Sequence, residues 1–397
     1  MPERIVIDGG NPTVTSGPVE WPIHGEREEE LLLKVLHSGH WSELSGDMVQ
    51  EFSQRFSAFQ GAIYGVSVPS GTLALEAALQ ALGIGPGDEI ITTSYTFIAT
   101  ATAAISVGAK PVFVDIDAAS NCIDPFKVEE DLTARTKAIV PVHVGGNPCD
   151  LDAIIEIGNR YGVPVLEDAC QAWGSAWNGQ PVGSIGVCGA FSFQESKNIT
   201  AGEGGIVITN DQAFYERIWS IHNCGRHPDG GLFEHSTPGT NFRMTEWQGA
   251  ILLAQLERLP GQMRRRQRSA EILTAGLGEI PGLTPIKIDN RATACSWHLY
   301  QFRYDAGKFG GRGLGDFLNA FAAEGVACSA GYEPLNYQKA IRDVVKARFG
   351  DDAVTPVPQA EAAARSTVWI PQTLLLRDDE TMEQIVHAAA KIQHAWS

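Results

Sequence analysis

No stretch of eighteen apolar residues occurs anywhere in this 397-residue sequence, so no membrane-spanning helix is predicted. The first residues, MPERIVIDGGNP, carry no apolar segment of the kind a secretory signal needs, and a cytoplasmic location is expected. Positive charge is scarce. Thirty Lys and Arg against 47 Asp and Glu leave a net charge of −17, which argues against nucleic acid or an anionic membrane as a partner, since either needs a basic face. The single basic run, Arg264-Arg265-Arg266-Gln267-Arg268, falls in a helix-like stretch and reads as a solvated face. Cysteine is sparse and unpatterned: seven residues, an odd number, with no CxxC and no His/Cys spacing, indicate neither a disulfide framework nor a metal site. Internal repeats and low-complexity tracts are absent, and no GxGxxG follows the first strand, which sets aside a dinucleotide-binding oxidoreductase.

What is present is an ordinary globular composition, 44% hydrophobic and 19% charged, in a chain long enough for two domains. From about residue 60, apolar runs alternate with helical patterns. Strands are predicted at Ile63–Val68, Glu89–Thr92, Pro111–Val114, Ala138–Val142 and Pro164–Glu167, separated by helices that include Phe97–Val107 and Leu151–Tyr161. Continuous apolar runs, not clean alternation, fit strands covered on both faces, as in a mostly parallel, doubly wound α/β sheet. Thr245-Glu246-Trp247-Gln248 has the form of a capping box and opens a helix expected to stop at Pro260, with a second helix from Gln262 to Gly276. The reading is a large α/β domain at 38–258 and a small α+β domain at 259–397, with residues 1–37 as an N-terminal arm.

Residues 191–205, FSFQESKNITAGEGG, form the most informative stretch. A short strand, Phe191–Phe193, leads into Lys197 and a glycine-rich turn, and strand texture resumes at Gly205–Thr209. Lys197 alone does not rise above an ordinary solvated lysine. Ser192 and the glycines Gly202, Gly204 and Gly205 add groups able to approach an anion, which together suggest a Schiff-base lysine beside a phosphate cradle. Ser70-Gly71-Thr72 opens the helix after the first strand, where unsatisfied N–H groups bind phosphate readily or are simply capped. Asp168 ends a buried strand, the edge at which ligands bind in such sheets.

The motif FSFQxxKxxTxGEGG resembles the lysine motif of the DegT/DnrJ/StrS aminotransferases, and the resemblance runs through most of the chain. It implies a fold-type-I transferase dependent on pyridoxal 5′-phosphate (PLP), with a seven-stranded, mostly parallel sheet in the large domain. Lys197 would carry the cofactor and Asp168 would face its pyridine nitrogen. Ser70, Gly71, Thr72 and Ser192 would hold the phosphate, although the family usually has Asn where Ser70 stands. Gln171 would bond near the 3′-oxygen. Tyr95, in TTSYTFIATA, resembles the aromatic that stacks on the ring, whereas Phe97 reads as core. Asn241, in GTNFRMTEWQGA, matches a segment that reaches the partner's phosphate, which implies a homodimer with shared active sites; Arg243 reads as interface. Trp41, in SGHWSELSG, matches a segment near the site entrance or is a packing aromatic.

Four further features bear on the substrate. HNCGR (222–226), VWIP (368–371) and Gln194, where many sugar aminotransferases carry His, look closer to the branch of 3-amino-5-hydroxybenzoate synthases and scyllo-inosose aminotransferases. GYEPLN (331–336) lacks both histidines of the HYxPLH usual in the nucleotide-sugar branch. The implied activity is transfer of an amino group from L-glutamine or L-glutamate, the small-molecule donor, to a keto-cyclitol or keto-sugar. The rivals are a PLP-dependent dehydratase or lyase and a non-catalytic relative that would be expected to have lost part of the site.

Overall fold

The computed structural model describes residues 4–227, 229–231, 233–350 and 354–397. Four strands lie side by side in the order β1 (Tyr64–Val68), β7 (Gly205–Thr209), β6 (Cys188–Ser192) and β5 (Leu166–Asp168). Beside them lie β4 (Thr136–Val140), β2 (Glu89–Thr93) and β3 (Lys110–Val114), joined to β5 through single parallel bridges, Ile139 to Val165 and Val142 to Asp168. Only β7 runs antiparallel to its neighbours. Every residue of β2, β6 and β7 is buried, as the unbroken apolar runs require when helices cover both faces. Ile63, expected to open β1, is instead exposed and precedes it.

Three helices settle the geometry of the site. Helix α1 (Met48–Phe59), unrecognised in the sequence, turns Met48, Val49, Phe52 and Phe56 inward. Phe52 and Phe56 meet Phe193 edge to face at 5.1 and 5.2 Å, and Phe56 meets Phe191 likewise at 5.1 Å. These contacts clamp β6 and the strand exit towards Lys197. Helix α2 (Gly71–Ala81) starts directly after β1. Helix α3 (Glu246–Gly278) is one continuous helix of 33 residues, not the two expected on either side of Pro260. A proline costs a helix interior about 3 kcal/mol. Here Leu253, Leu256 and Leu259 pack before it and Ala270, Leu273 and Leu277 after it, in two different apolar clusters, while Pro260 itself is exposed. Packing on both sides outweighs the missing hydrogen bond.

The second apolar cluster joins the latter half of α3 to the antiparallel strands Leu283–Pro285, Leu299–Tyr304, Thr367–Pro371 and Ser329–Ala330 and to the closing helix Asp379–Trp396. Ile5 and Val14 of the arm belong to it. A buried ion pair, Lys391 Nζ to Glu324 Oε2 at 2.9 Å, holds the arm there, because Glu324 also accepts from the Val6 N–H at 2.8 Å and the Thr13 hydroxyl at 2.7 Å. The arm then crosses back, and Trp21 Nε1 donates to the Glu195 carbonyl at 2.7 Å, two residues from Lys197. Among the described residues, no helix is long and apolar enough to cross a membrane.

Candidate active site

Lys197 is held by its own loop. Phe193 N–H donates to the Gly204 carbonyl at 2.8 Å, and the Thr200 hydroxyl donates to the Phe193 carbonyl at 3.0 Å. Asn198 fixes the far side, donating Nδ2 to the Ser296 carbonyl at 2.7 Å. Lys197 Nζ lies 5.9 Å from the Trp173 ring centroid, and burial lowers its proton affinity; the charge of nearby Asp168 acts in the opposite sense. A buried amine with a reduced proton affinity is the form a Schiff-base lysine needs, because only the neutral amine attacks a carbonyl.

The amine opens into a cavity of about 630 Å³ at the carboxyl ends of β1, β2, β5 and β6. Asp168 is buried there, with Oδ2 accepting from the Thr100 hydroxyl at 2.8 Å and Oδ1 from the Cys170 N–H at 3.2 Å. Its neighbour Glu167, to which the sequence assigned no role, points the other way. It accepts N–H bonds from Gly183 (2.6 Å), Ile185 (2.9 Å) and Gly186 (2.7 Å) and faces His143 Nε2 at 3.1 Å. Glu167 is thus an anchor that fixes the β5 end on which Asp168 stands.

Ser70, Gly71 and Thr72 line the cavity at the start of α2, and the Ser70 hydroxyl caps that helix, accepting from Leu73 N–H at 3.2 Å. A Cβ on Gly71 would lie 2.7 Å from the Cβ of Ser192, so only glycine lets the helix N-terminus press against the end of β6. Gln171 also lines the cavity, accepting from Gly145 N–H at 2.7 Å and donating to the Tyr332 hydroxyl at 3.1 Å.

Three expectations are corrected. Tyr95 does not line the cavity. It is wholly buried among Tyr332, Trp369 and Val142, and a Cβ on Gly331 would collide with its hydroxyl. Phe97, expected in the core, stands in the cavity wall with 57% of its surface open. The chain turns at the end of β2, and two residues decide which ring enters the core. Second, Gly202, Gly204 and Gly205 are not part of the lining. Gly205 is required for a different reason, since a Cβ there would lie 2.4 Å from the Ser70 carbonyl oxygen. Third, the basic run is not a solvated face throughout, because Arg266 is fully buried. Asn241 is exposed and apart from its own chain's cavity, and Arg243 bonds Asn223 Oδ1 at 2.8 Å. Trp41 is half exposed and packs on Trp247 at 5.7 Å.

Residues 22–390 match the DegT/DnrJ/EryC1/StrS aminotransferase family. The chain belongs to that family. It is 36% identical to an L-glutamine:2-deoxy-scyllo-inosose aminotransferase of Micromonospora echinospora over 98% of this chain and 97% of the relative. To a spore coat polysaccharide biosynthesis protein of Bacillus subtilis it is 42% identical, over 74% of this chain and 77% of that protein. The crystal structure of 3-amino-5-hydroxybenzoic acid synthase superposes with a TM-score of 0.87 at 32% identity, covering 96% of this chain and all of the other. The fold is that of the PLP-dependent aminotransferases, and the protein is an enzyme of that class.

Sequence reasoning missed several of this aminotransferase's cavity residues. Thr100, which orients Asp168, shares the helix Ala99–Ser106 with Thr102 and Ser106, so nothing local singled it out. His298 carried no signal either. Because Asn198 Nδ2 is engaged with Ser296, its Oδ1 faces His298 Nδ1 at 3.1 Å, which makes Nδ1 the donor and leaves Nε2 a bare acceptor. Burial, reinforced by Lys197 and Arg266, holds this ring well below its ordinary proton affinity and so neutral. Trp21 and Gln372 enter the wall from the arm and from the Thr367–Pro371 strand end, which no local pattern foretells.

Proposed function

We propose that this enzyme transfers the amino group of L-glutamine to a free keto-cyclitol. The observation that carries the reading is the composition of the cavity wall. Lys197, Asp168 and Glu203 share it with uncharged polar groups, Thr96, Gln171, Gln194, Tyr332 and neutral His298, and Lys197 is its only Lys or Arg among the described residues. A nucleotide-linked sugar carries a diphosphate, which is commonly met by arginine or lysine. A free polyol ketone asks only for hydroxyl partners, which this wall supplies. The likeness to the scyllo-inosose enzyme supports the same substrate class and donor.

The residues fit PLP. The α2 N-terminus with Ser70, Gly71, Thr72 and Ser192 would receive the phosphate, and the tight approach at Gly71 keeps those donors together. Asp168, oriented by Thr100, would hold the pyridine nitrogen protonated; Phe97 would lie on the ring face and Gln171 near the 3′-oxygen. When bound, PLP supplies the electron sink that makes the proton on the amino-bearing carbon removable. Lys197 Nζ takes that proton from the donor's Cα and later delivers one to the former carbonyl carbon of the acceptor.

We read the chain as a homodimer in the cell interior, with domains near 38–258 and 259–397. Exposed Leu33, Leu36, Trp41 and Leu44 lie close together in the chain and support an interface, and the position of Asn241 outside its own cavity suits a role in the partner's. Mixing Lys197→Ala with Asn241→Asp should then restore up to one intact site per heterodimer. No recovery on mixing two inactive variants would argue against sharing. For the activity itself, wild-type holoenzyme given L-glutamine alone should release one equivalent of keto acid per site. A cyclic polyol ketone added next should become an amine carrying ¹⁵N from the donor. Loss of water from a ketone without any donor would instead establish the dehydratase.

A further inference from the structure

One aromatic ring of the cavity wall is carried in by the N-terminal arm. Trp21 lines the cavity that contains Lys197, and the arm is fastened on either side of it. Arg377 donates Nε to the Gly17 carbonyl at 2.7 Å and Nη2 to the Pro18 carbonyl at 3.1 Å. The Val19 N–H donates to the Thr373 carbonyl at 3.2 Å. Beyond Trp21, Gln255 Nε2 on helix α3 donates to the Ile23 carbonyl at 2.7 Å. The arm thus crosses from Arg377 and Thr373 to α3 along a pinned path, and Trp21 stands at the crossing.

The indole itself is fixed at its polar edge and on one face. Nε1, its single polar atom, donates to the Glu195 carbonyl at 2.7 Å, and the Arg266 guanidinium lies over the ring, 5.8 Å from its centroid. What remains to border the cavity is apolar ring surface. That surface does not belong to the groups fitted to the cofactor. Ser70, Gly71, Thr72, Thr100 and Asp168 stand at the ends of β1 and β5 and on the helices that follow β1 and β2. Trp21 instead enters beside Thr373, which lines the same cavity from the other side of the chain's fold.

We infer that Trp21 is a specificity residue for the amino acceptor, a plate against which the C–H face of a saturated polyol ring lies. This rests on the reading that the acceptor is a free keto-cyclitol, and it narrows that class. A six-membered ring with equatorial hydroxyls carries its polar groups on the rim and axial C–H bonds on both faces. Such a ligand needs hydrogen-bonding partners around its edge and apolar surface against a face. Gln171, Gln194, Tyr332 and His298 supply the first, and Trp21 supplies the second. An axial hydroxyl directed at the indole would lose its water and gain no partner, since Nε1 already bonds Glu195. The ring favoured is therefore one whose hydroxyls are all equatorial.

The test uses holoenzyme and two cyclohexanehexols, which have no carbonyl and so bind without reacting. One has every hydroxyl equatorial; the other has an axial hydroxyl on each face, so that turning the ring over brings no relief. Calorimetry on wild type should show tighter binding of the all-equatorial hexol. Trp21→Leu should weaken that binding by about three- to tenfold and narrow the preference between the two. Trp21→Met serves in the same way if Trp21→Leu does not fold. Trp21→Phe, which keeps an aromatic face and loses the bond to Glu195, should retain most of the preference. With the corresponding ketones, KM should rise in Trp21→Leu by a larger factor than kcat falls. The concentration of L-glutamine giving half-maximal bleaching should move less than that KM. A wild type that binds neither hexol or does not distinguish them, or a preference as large in Trp21→Leu as in wild type, overturns the inference. Loss of the preference in Trp21→Phe as complete as in Trp21→Leu overturns it too, because Trp21 would then act by anchoring the arm to Glu195. If no cyclic polyol ketone takes up the amino group, the acceptor reading fails, and the hexol measurement still decides this one.

Discussion

Two cations are buried about one cavity, and they are handled in opposite ways. Lys197 sits where the structure supplies an acid: Asp168 raises its proton affinity against burial, and the loop around it is pinned by the Thr200 hydroxyl and Asn198. Arg266 has no such acid, and burial alone pulls its proton affinity down to about 9. The Lys197 end is complete as it stands, apart from the cofactor it would hold, whereas the Arg266 end keeps two buried donors, Arg266 Nη1 and Gln372 Nε2, without an acceptor among the described residues. A complete network preorganises chemistry. An incomplete one leaves desolvated donors that cost stability.

The sharpest way to break the comparison is to remove the lysine. Lys197→Ala should cost at least about 10²–10⁴ in the rate of either half-reaction, the usual worth of a positioned proton carrier. Borohydride treatment of wild type should attach PLP to the peptide containing Lys197. A label on any other lysine would remove Lys197 from the site.

Next comes its acid. Asp168→Asn keeps the size and one accepting oxygen, for the Cys170 N–H, while the Thr100 hydroxyl must turn to accept from the new amide; the charge is removed, and half-reaction rates should fall by about 10²–10³, as for other single electrostatic groups. The pH dependence has a definite sign. Burial already sets Lys197 below the ordinary lysine value, and Asp168 opposes that shift. Removing the carboxylate should lower the value further, so reconstitution of apoenzyme with PLP, which needs neutral amine, should rise to its plateau at lower pH than in wild type. A plateau shifted upward would mean that Asp168 does not act on Lys197.

Arg266 differs in that its removal should be felt in stability, because its charge is buried without an acid beside it. Arg266→Met fills similar space with no unpaired charge, and replacement of buried charge by apolar volume is often stabilising by about 1–4 kcal/mol. Thermal unfolding of the cofactor-loaded variant should therefore occur at or above the wild-type temperature. A large fall in unfolding temperature would show that Arg266 is structural after all.

The sequence made legible what is encoded locally. Lys197, Ser192, Asp168 and Ser70–Thr72 stand at strand and helix ends, where a short motif states both the residue and its position, and they meet in one cavity. What stayed hidden depends on direction or on distance in the chain. The single helix through Pro260 exists because two separate cores hold its halves. Arg266 looked solvated beside Arg264, Arg265 and Arg268, yet on a helix one position in such a run can face inward while its neighbours do not. Gln372 and Trp21 approach from opposite ends of the chain. The exchange of Tyr95 for Phe97 is the smallest of these errors and the most instructive, since both lie in one hexapeptide, SYTFIA, and a turn decides between them.

That exchange yields the gentlest prediction. If Phe97 covers the cofactor ring, Phe97→Ala removes a stacking contact worth about 0.5–1.5 kcal/mol beyond burial. The dissociation constant for PLP should then rise by roughly fivefold for a loss of 1 kcal/mol. The fold should be little disturbed, because the side chain is already 57% exposed. Tyr95→Ala should do the opposite. It empties a fully buried site against Tyr332 and Trp369, so stability should fall by about 3–5 kcal/mol, as for other large aromatic truncations. PLP affinity measured on the folded fraction should change less than in Phe97→Ala. If Tyr95→Ala instead loosens PLP at unchanged stability, Tyr95 rather than Phe97 faces the ring, and the position of the turn after β2 must be revised.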